Sequence, residues 1–117
     1  MSEAYRSFIQ GKRLYKKKEF LKAAMKLEGS KRLEPKRASI RELLAAAYYN
    51  LGLLEDSKHN FKKALDIDKS NDYAHFGLSL CLARQGDLDK ALGHIKIAHA
   101  MKPGSKLYKD TLQRLKS

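Results

Sequence analysis

The feature that most constrains this chain is a translation. Asp72–Pro103, DYAHFGLSLCLARQGDLDKALGHIKIAHAMKP, falls on Ala38–Lys69 when moved back 34 residues, and on Ala4–Pro35 when moved back 34 again, with no gap in either step. One frame therefore covers 102 of the 117 residues. The frame carries chemistry as well as spacing. Gly11, Ala45 and Ser79 share one position, Ala23, Ser57 and Ala91 a second, and Ser30, Ala64 and Ala98 a third, and all are small. Leu27, Phe61 and Ile95 share a fourth, where all are large and apolar. Small residues recur in register where helix axes must approach closely, because the side chains at the contact set the interaxial distance.

Apolar residues within the frame recur at helical spacing. Ser2 is placed to cap a first helix over about residues 3–17, with Ala4, Phe8, Gly11, Leu14 and Tyr15 on one face. A turn near Lys18-Glu19 leads to a return helix with Phe20, Ala23, Ala24, Leu27 and Leu33 on its apolar face, stopped by Pro35. From Arg37-Ala38 the pattern restarts, with Ile40, Leu43, Leu44, Ala47, Tyr48 and Leu51, then the turn residue Gly52, then Leu54, Ser57, Phe61, Ala64, Leu65 and Ile67. Ser70 or Asn71 caps the third unit, which turns at Gln85-Gly86-Asp87 and stops at Pro103-Gly104. Ser105 opens a last amphipathic segment with Leu107, Tyr108, Leu112 and Leu115 on one side. The expected fold is all-α, one domain over 1–117 with seven helices: repeats at 4–37, 38–71 and 72–105, and a capping helix at 106–117.

These units resemble the tetratricopeptide repeat, whose 34-residue pattern is W-x2-L-G-x2-Y…A-x3-F…P. Its positions hold Ser7, Gln10, Gly11, Leu14, Ala23, Leu27 and Pro35 in the first unit. They hold Arg41, Leu44, Ala45, Tyr48, Ser57, Phe61 and Lys69 in the second, and His75, Leu78, Ser79, Leu82, Ala91, Ile95 and Pro103 in the third. The Trp position is thus Ser, Arg and His. The period of 34 separates the chain from the pentatricopeptide RNA readers, whose repeat is one residue longer.

The resemblance implies a right-handed superhelical solenoid in which the first helix of each repeat lines a concave groove. Carried over by register, the groove residues are Tyr5, Phe8, Ile9, Lys12, Tyr15 and Lys16, then Glu42, Leu43, Ala46, Tyr49 and Asn50, then Tyr73, Phe76, Gly77, Leu80 and Arg84. Six of the chain's ten Phe and Tyr fall among them. The family's two-carboxylate clamp for the acidic tails of heat-shock chaperones needs Lys and Asn in the first repeat, Asn in the second, and Lys and Arg in the third. The matching positions hold Phe8 and Lys12, Leu43, and Tyr73 and Gly77, so that clamp is absent. The groove is aromatic and rimmed by Lys12, Lys16 and Arg84 instead. Its expected partner is a peptide or helix of a protein with apolar anchors and acidic residues, much as bacterial secretion chaperones built from three such repeats hold client segments.

The net charge is +12, and residues 1–41 carry +9 of it. A basic run through Lys12, Arg13, Lys16, Lys17, Lys18, Lys22 and Lys26 keeps open an alternative, a nucleic-acid-associated adaptor working through the first repeat. Self-association through the repeat faces is a third possibility. No apolar run approaches the roughly 18 residues of a spanning helix, and the N-terminus has no leader pattern, so a soluble, cytoplasmic protein is expected.

Catalytic chemistry finds no foothold. His94 and His99 are five residues apart, which splays them about 140° around a helix, too far to share a metal. His59 and His75 belong to different repeats. Cys81 lies between Leu80 and Leu82, where a buried inert thiol is expected. The reading is a non-catalytic interaction module with no metal and no cofactor.

Overall fold

Ser2 does begin the first helix, its hydroxyl accepting the Tyr5 amide at 3.1 Å. The computed structural model describes residues 1–117 as seven helices and no strands. These are α1 (Glu3–Lys16), α2 (Phe20–Leu33), α3 (Ala38–Asn50), α4 (Leu54–Ile67), α5 (Asp72–Arg84), α6 (Leu88–Met101) and α7 (Lys106–Lys116). Each odd helix pairs with the even helix after it, and the next odd helix packs back on that one. α1, α3 and α5 therefore stand side by side in an elongated solenoid of 44 × 25 × 22 Å.

The in-register small residues are the contact points. All nine are buried, as are Leu27, Phe61 and Ile95 between them. Gly11 and Gly77 mark the tightest crossings: an added Cβ would stand 2.7 Å from Leu27 Cγ at the first and 2.2 Å from the Phe61 ring at the second. Two of the buried serines are satisfied across the hairpins, Ser30 donating to the Ala4 carbonyl at 2.8 Å and Ser57 to the Ala45 carbonyl at 2.7 Å, while Ser79 donates within α5 to the Phe76 carbonyl at 2.6 Å. A small hydroxyl thus joins two helix backbones without leaving an unpaired polar group in the interior.

The turns inside the hairpins share one backbone geometry. Gly52 and Gly86 have φ of +76° and +84°, and Lys18 occupies the same frame position with φ +62°. Between repeats, Asn71 rather than Ser70 caps α5, its Oδ1 accepting the Ala74 amide at 3.0 Å, while Ser70 donates to Asp68.

Two expectations about apolar faces are corrected. Leu33 is half exposed, and so, to a lesser degree, are its frame equivalents Ile67 and Met101, each in the last turn of a return helix. Leu107 is also exposed; α7 instead buries Tyr108 and Thr111, with Leu112 and Leu115 half-buried. At the other end of the solenoid the first repeat turns a polar stripe outward. The frame positions that hold buried Ile40, Leu44 and Ala47 in α3, and Ala74, Leu78 and Cys81 in α5, hold exposed Arg6, Gln10 and Arg13 in α1.

Candidate functional site: an aromatic groove along the first helices

The row of α1, α3 and α5 carries three depressions that share walls. Tyr5 and Phe8 line the first with Ala4, Glu34, Arg37, Ser39 and Ile40. Phe8 continues into the second, where it meets Lys12, Ser39, Glu42, Leu43 and Tyr73. Tyr73 continues into the third, a cavity of about 210 Å3 lined by Tyr15, Ala46, Tyr49, Asn50, Phe61, Phe76, Gly77 and Leu80. Phe8 and Tyr73 are the shared posts, so the depressions form one groove.

The floor of the third cavity depends on a missing side chain. Gly77 carries no Cβ, and the Phe61 ring from α4 fills that space from beneath. Phe61 belongs to the core, yet it floors the cavity, and its ring meets Tyr73 edge-on at 6.0 Å between centroids. The sequence reading did not place Phe61 in the groove. The signal was present in the frame, where the one glycine among Ile9, Leu43 and Gly77 requires a neighbour to occupy its place.

The expected groove residues do not all act alike. Tyr15, half-buried, packs its ring edge-on to Phe20 at 5.2 Å, and its hydroxyl accepts from Asn50 Nδ2 at 3.2 Å. The same amide donates to the Ala46 carbonyl at 2.9 Å, so Asn50 is largely occupied in holding the wall. Arg84 lies over the Tyr49 ring at 4.9 Å and donates to the Tyr49 carbonyl at 3.3 Å, a stack that fixes the tyrosine and leaves the guanidinium exposed. Lys12 borders the second depression; Lys16 is exposed and lines none of the three. Phe76, placed among the groove residues by register, is only 8% accessible. Its ring packs against Tyr108 at 5.2 Å and joins the cluster with Ile95 and Ala98, so it offers the groove little more than an edge.

One acid sits among these aromatics. The Glu42 carboxylate accepts from Asn71 Nδ2 at the foot of α5. Burial pushes its pKa up, and the neighbouring charges of Asp72 and Asp68 add to the effect against the Asn71 bond. Burial likewise raises the Tyr73 phenol to about 12, so Tyr73 is a neutral donor at physiological pH. Asp72 is held by the Tyr108 hydroxyl at 2.6 Å and by Lys102 at 3.5 Å. Lys12 therefore borders the groove from the α1 side, Glu34 in the first depression is paired with Arg37, and Glu42 lies near the α3–α5 junction.

Cys81 is buried, its thiol 3.3 Å from Ser57 Oγ, and burial raises its pKa. Of the histidines, the structure joins a pair the sequence reading left apart: His75 on α5 and His94 on α6 meet with their Nδ1 atoms 3.0 Å apart.

No family model matches the sequence, and no curated protein matches it in sequence. Solved structures do match in shape. The tetratricopeptide domain of Arabidopsis OM64 superposes with a TM-score of 0.94 at 23% identity, covering 97% of this chain and 94% of that one. The first such domain of Spaghetti (RPAP3), bound to an HSP90 peptide, gives 0.93 at 14% identity over 97% and 90% of the two chains. The Yersinia enterocolitica type III secretion chaperone SycD, in complex with a peptide of the translocator YopD, gives 0.86 at 15% identity over 96% and 91%. The fold of this chain is that of a tetratricopeptide-repeat domain, a helical-repeat solenoid. At these identities the likeness speaks for the fold.

Proposed function

We propose that the protein is a non-catalytic interaction module that holds an extended or helical segment of a protein partner in the groove along α1, α3 and α5. The continuity of three depressions through the shared residues Phe8 and Tyr73 carries this reading. Tyr15, Tyr49 and Tyr73 supply aromatic surface at the 210 Å3 cavity, suited to one large apolar side chain of the partner. Lys12, with Lys16 beyond it, favours an acidic residue of the partner on the α1 side, whereas Glu42 disfavours one over α3. Two of the structural relatives named above hold peptides of their partners, an HSP90 tail in one and a translocator segment in the other. An acidic chaperone tail is a poor fit here, because Phe8, Leu43, Tyr73 and Gly77 stand where charge-paired recognition needs cations and amides.

The test is capture from lysate by immobilised protein, with and without nuclease, comparing wild type with Tyr49→Ala/Tyr73→Ala. Both tyrosines are partly exposed, so the double variant is expected to fold, checked by its helical spectrum. A discrete protein that survives nuclease and is lost from the variant, with affinity down on the order of 10-fold or more, supports the groove. Equal retention by the variant refutes it. The second reading, binding of nucleic acid, rests on the exposed basic residues Arg6 and Arg13 of α1 and Lys17 at its C-terminal cap. It predicts nuclease-sensitive material whose retention falls steeply with salt.

A further inference from the structure

The positions of His75 and His94 recur in each repeat, and in the second they are again in contact. Moved back by one frame they become Arg41 and Asn60, joined by a 3.1 Å hydrogen bond from the guanidinium; moved back again they become Ser7 and Lys26. The position links the first helix of a hairpin to the second. In the second repeat the link joins a guanidinium to a side-chain amide. In the third it consists of two imidazoles, both half-buried.

The rings lie end to end. Their centroids are 5.3 Å apart with 3.0 Å between the Nδ1 atoms and a 31° angle between planes, which puts both nitrogens almost on the line joining the ring centres. Metal chelation needs two lone pairs converging on a point off that line, and no third His, Cys, Asp or Glu joins the pair. Head-on nitrogens at this distance are a hydrogen bond, in which one Nδ1 donates and the other accepts. Such a bond can take one added proton at a remote Nε2, or share it, and become charge-assisted. It cannot take a second, because both Nδ1 atoms would then carry hydrogens facing each other.

We propose that His75 and His94 form a proton-sensitive clasp on the third hairpin, closed with zero or one added proton and opened by the second, which loosens α5 and the groove wall it carries. The clasp itself does not depend on what the groove holds. Burial lowers the pKa of both rings; for His94 the charges of His75 and of Lys62 on α4 add to this, and for His75 the Lys69 main chain and Asp72 on α5 oppose it. With folded-state pKa values depressed, the stabilisation is complete above the unfolded-state histidine value of about 6.5 and declines as pH falls below it, the clasp itself opening at the lower folded value, where the second proton adds.

The test uses the full chain. Ring nitrogen and carbon shifts of all four histidines are followed by NMR from pH 8 to 4.5, and denaturation midpoints are measured over the same range. The comparison is His75→Arg/His94→Asn, which transplants the second repeat's pair, with His94→Gln as the backup should that variant fold poorly. His59 and His99 are unchanged in both, so their contributions cancel. The clasp predicts two coupled steps for His75 and His94 separated by more than about one pH unit, and a fall in midpoint below pH 6.5 that the transplanted pair removes. Independent single-step titration of both rings, or the same pH dependence in the variants, overturns the proposal.

Discussion

Lys18 pays for the regularity of the solenoid. Its main chain makes the same two turn bonds as the other hairpins. The amide at the turn position bonds to the carbonyl three residues back, at 2.9 Å for Lys18, 3.0 Å for Gly52 and 3.1 Å for Gly86. The following amide bonds to the carbonyl five residues back, at 2.9 Å in all three. The packed hairpin thus imposes φ +62° on a lysine where the other two repeats use glycine. An L-residue in this region costs about 1–2 kcal/mol, against which glycine loses about 0.5–1 kcal/mol more backbone entropy on folding. The side chain is exposed and forms no ion pair, so nothing else is lost with it. Lys18→Gly should therefore stabilise by about 0.5–1 kcal/mol, raising the thermal midpoint by roughly 2–6 °C. The reverse exchange checks the reasoning. A Cβ at Gly52 or Gly86 meets nothing within 4 Å, so Gly52→Ala and Gly86→Ala should each cost about 1 kcal/mol through backbone strain alone. The assay is urea denaturation read by helical circular dichroism and tyrosine fluorescence, with coincident curves required before a free energy is taken. A Lys18→Gly midpoint equal to or below wild type at unchanged slope would show that the turn is not where strain resides.

Gly77→Ala should destabilise by about 1–3 kcal/mol, because the Phe61 ring cannot withdraw from a Cβ at 2.2 Å without disturbing Ala45, Ala64 and Leu78; denaturation midpoints measure it, and a neutral result would mean the ring is free to move. Glu28 gives an acid-sensitive link. Burial alone would raise its pKa, but hydrogen bonds from Lys31 at 2.6 Å and from Tyr48 at 2.5 Å, with the charges of Lys31 and Arg32, leave it lowered. That stabilisation is complete above the unfolded carboxyl value and is lost as pH falls through the folded one. Tyr48→Phe should cost on the order of 1 kcal/mol at pH 7 and progressively less as pH falls through the folded Glu28 value; a loss that does not change with pH would mean the hydroxyl matters for packing, not for its charged acceptor.

The order and type of the seven helices were legible because the frame repeats small and large residues at the same positions, and only packed helical hairpins need that. Ser2 and Ser105 announced their caps, since an N-cap is a local hydrogen bond, whereas the choice of Asn71 over Ser70 waited for the structure. The row of first helices followed from the resemblance, and with it the candidate residues along that row. Tertiary structure decided what each does there. Phe76 shares a helix face with Tyr73, yet α6 and α7 close over it and leave Tyr73 partly open, which depends on where α7 docks. Arg84 falls on the Tyr49 ring, 35 residues away, and Asn50 on Tyr15 at the same separation, because adjacent first helices bring consecutive frames together. The histidine pair shows the difference most plainly. Along the chain His75 and His94 are 19 residues apart on separate helices, and no local periodicity relates them. They meet because the hairpin closes at Gly86 and the small residues Ser79 and Ala91 let α5 and α6 approach, a distance set by packing across the turn.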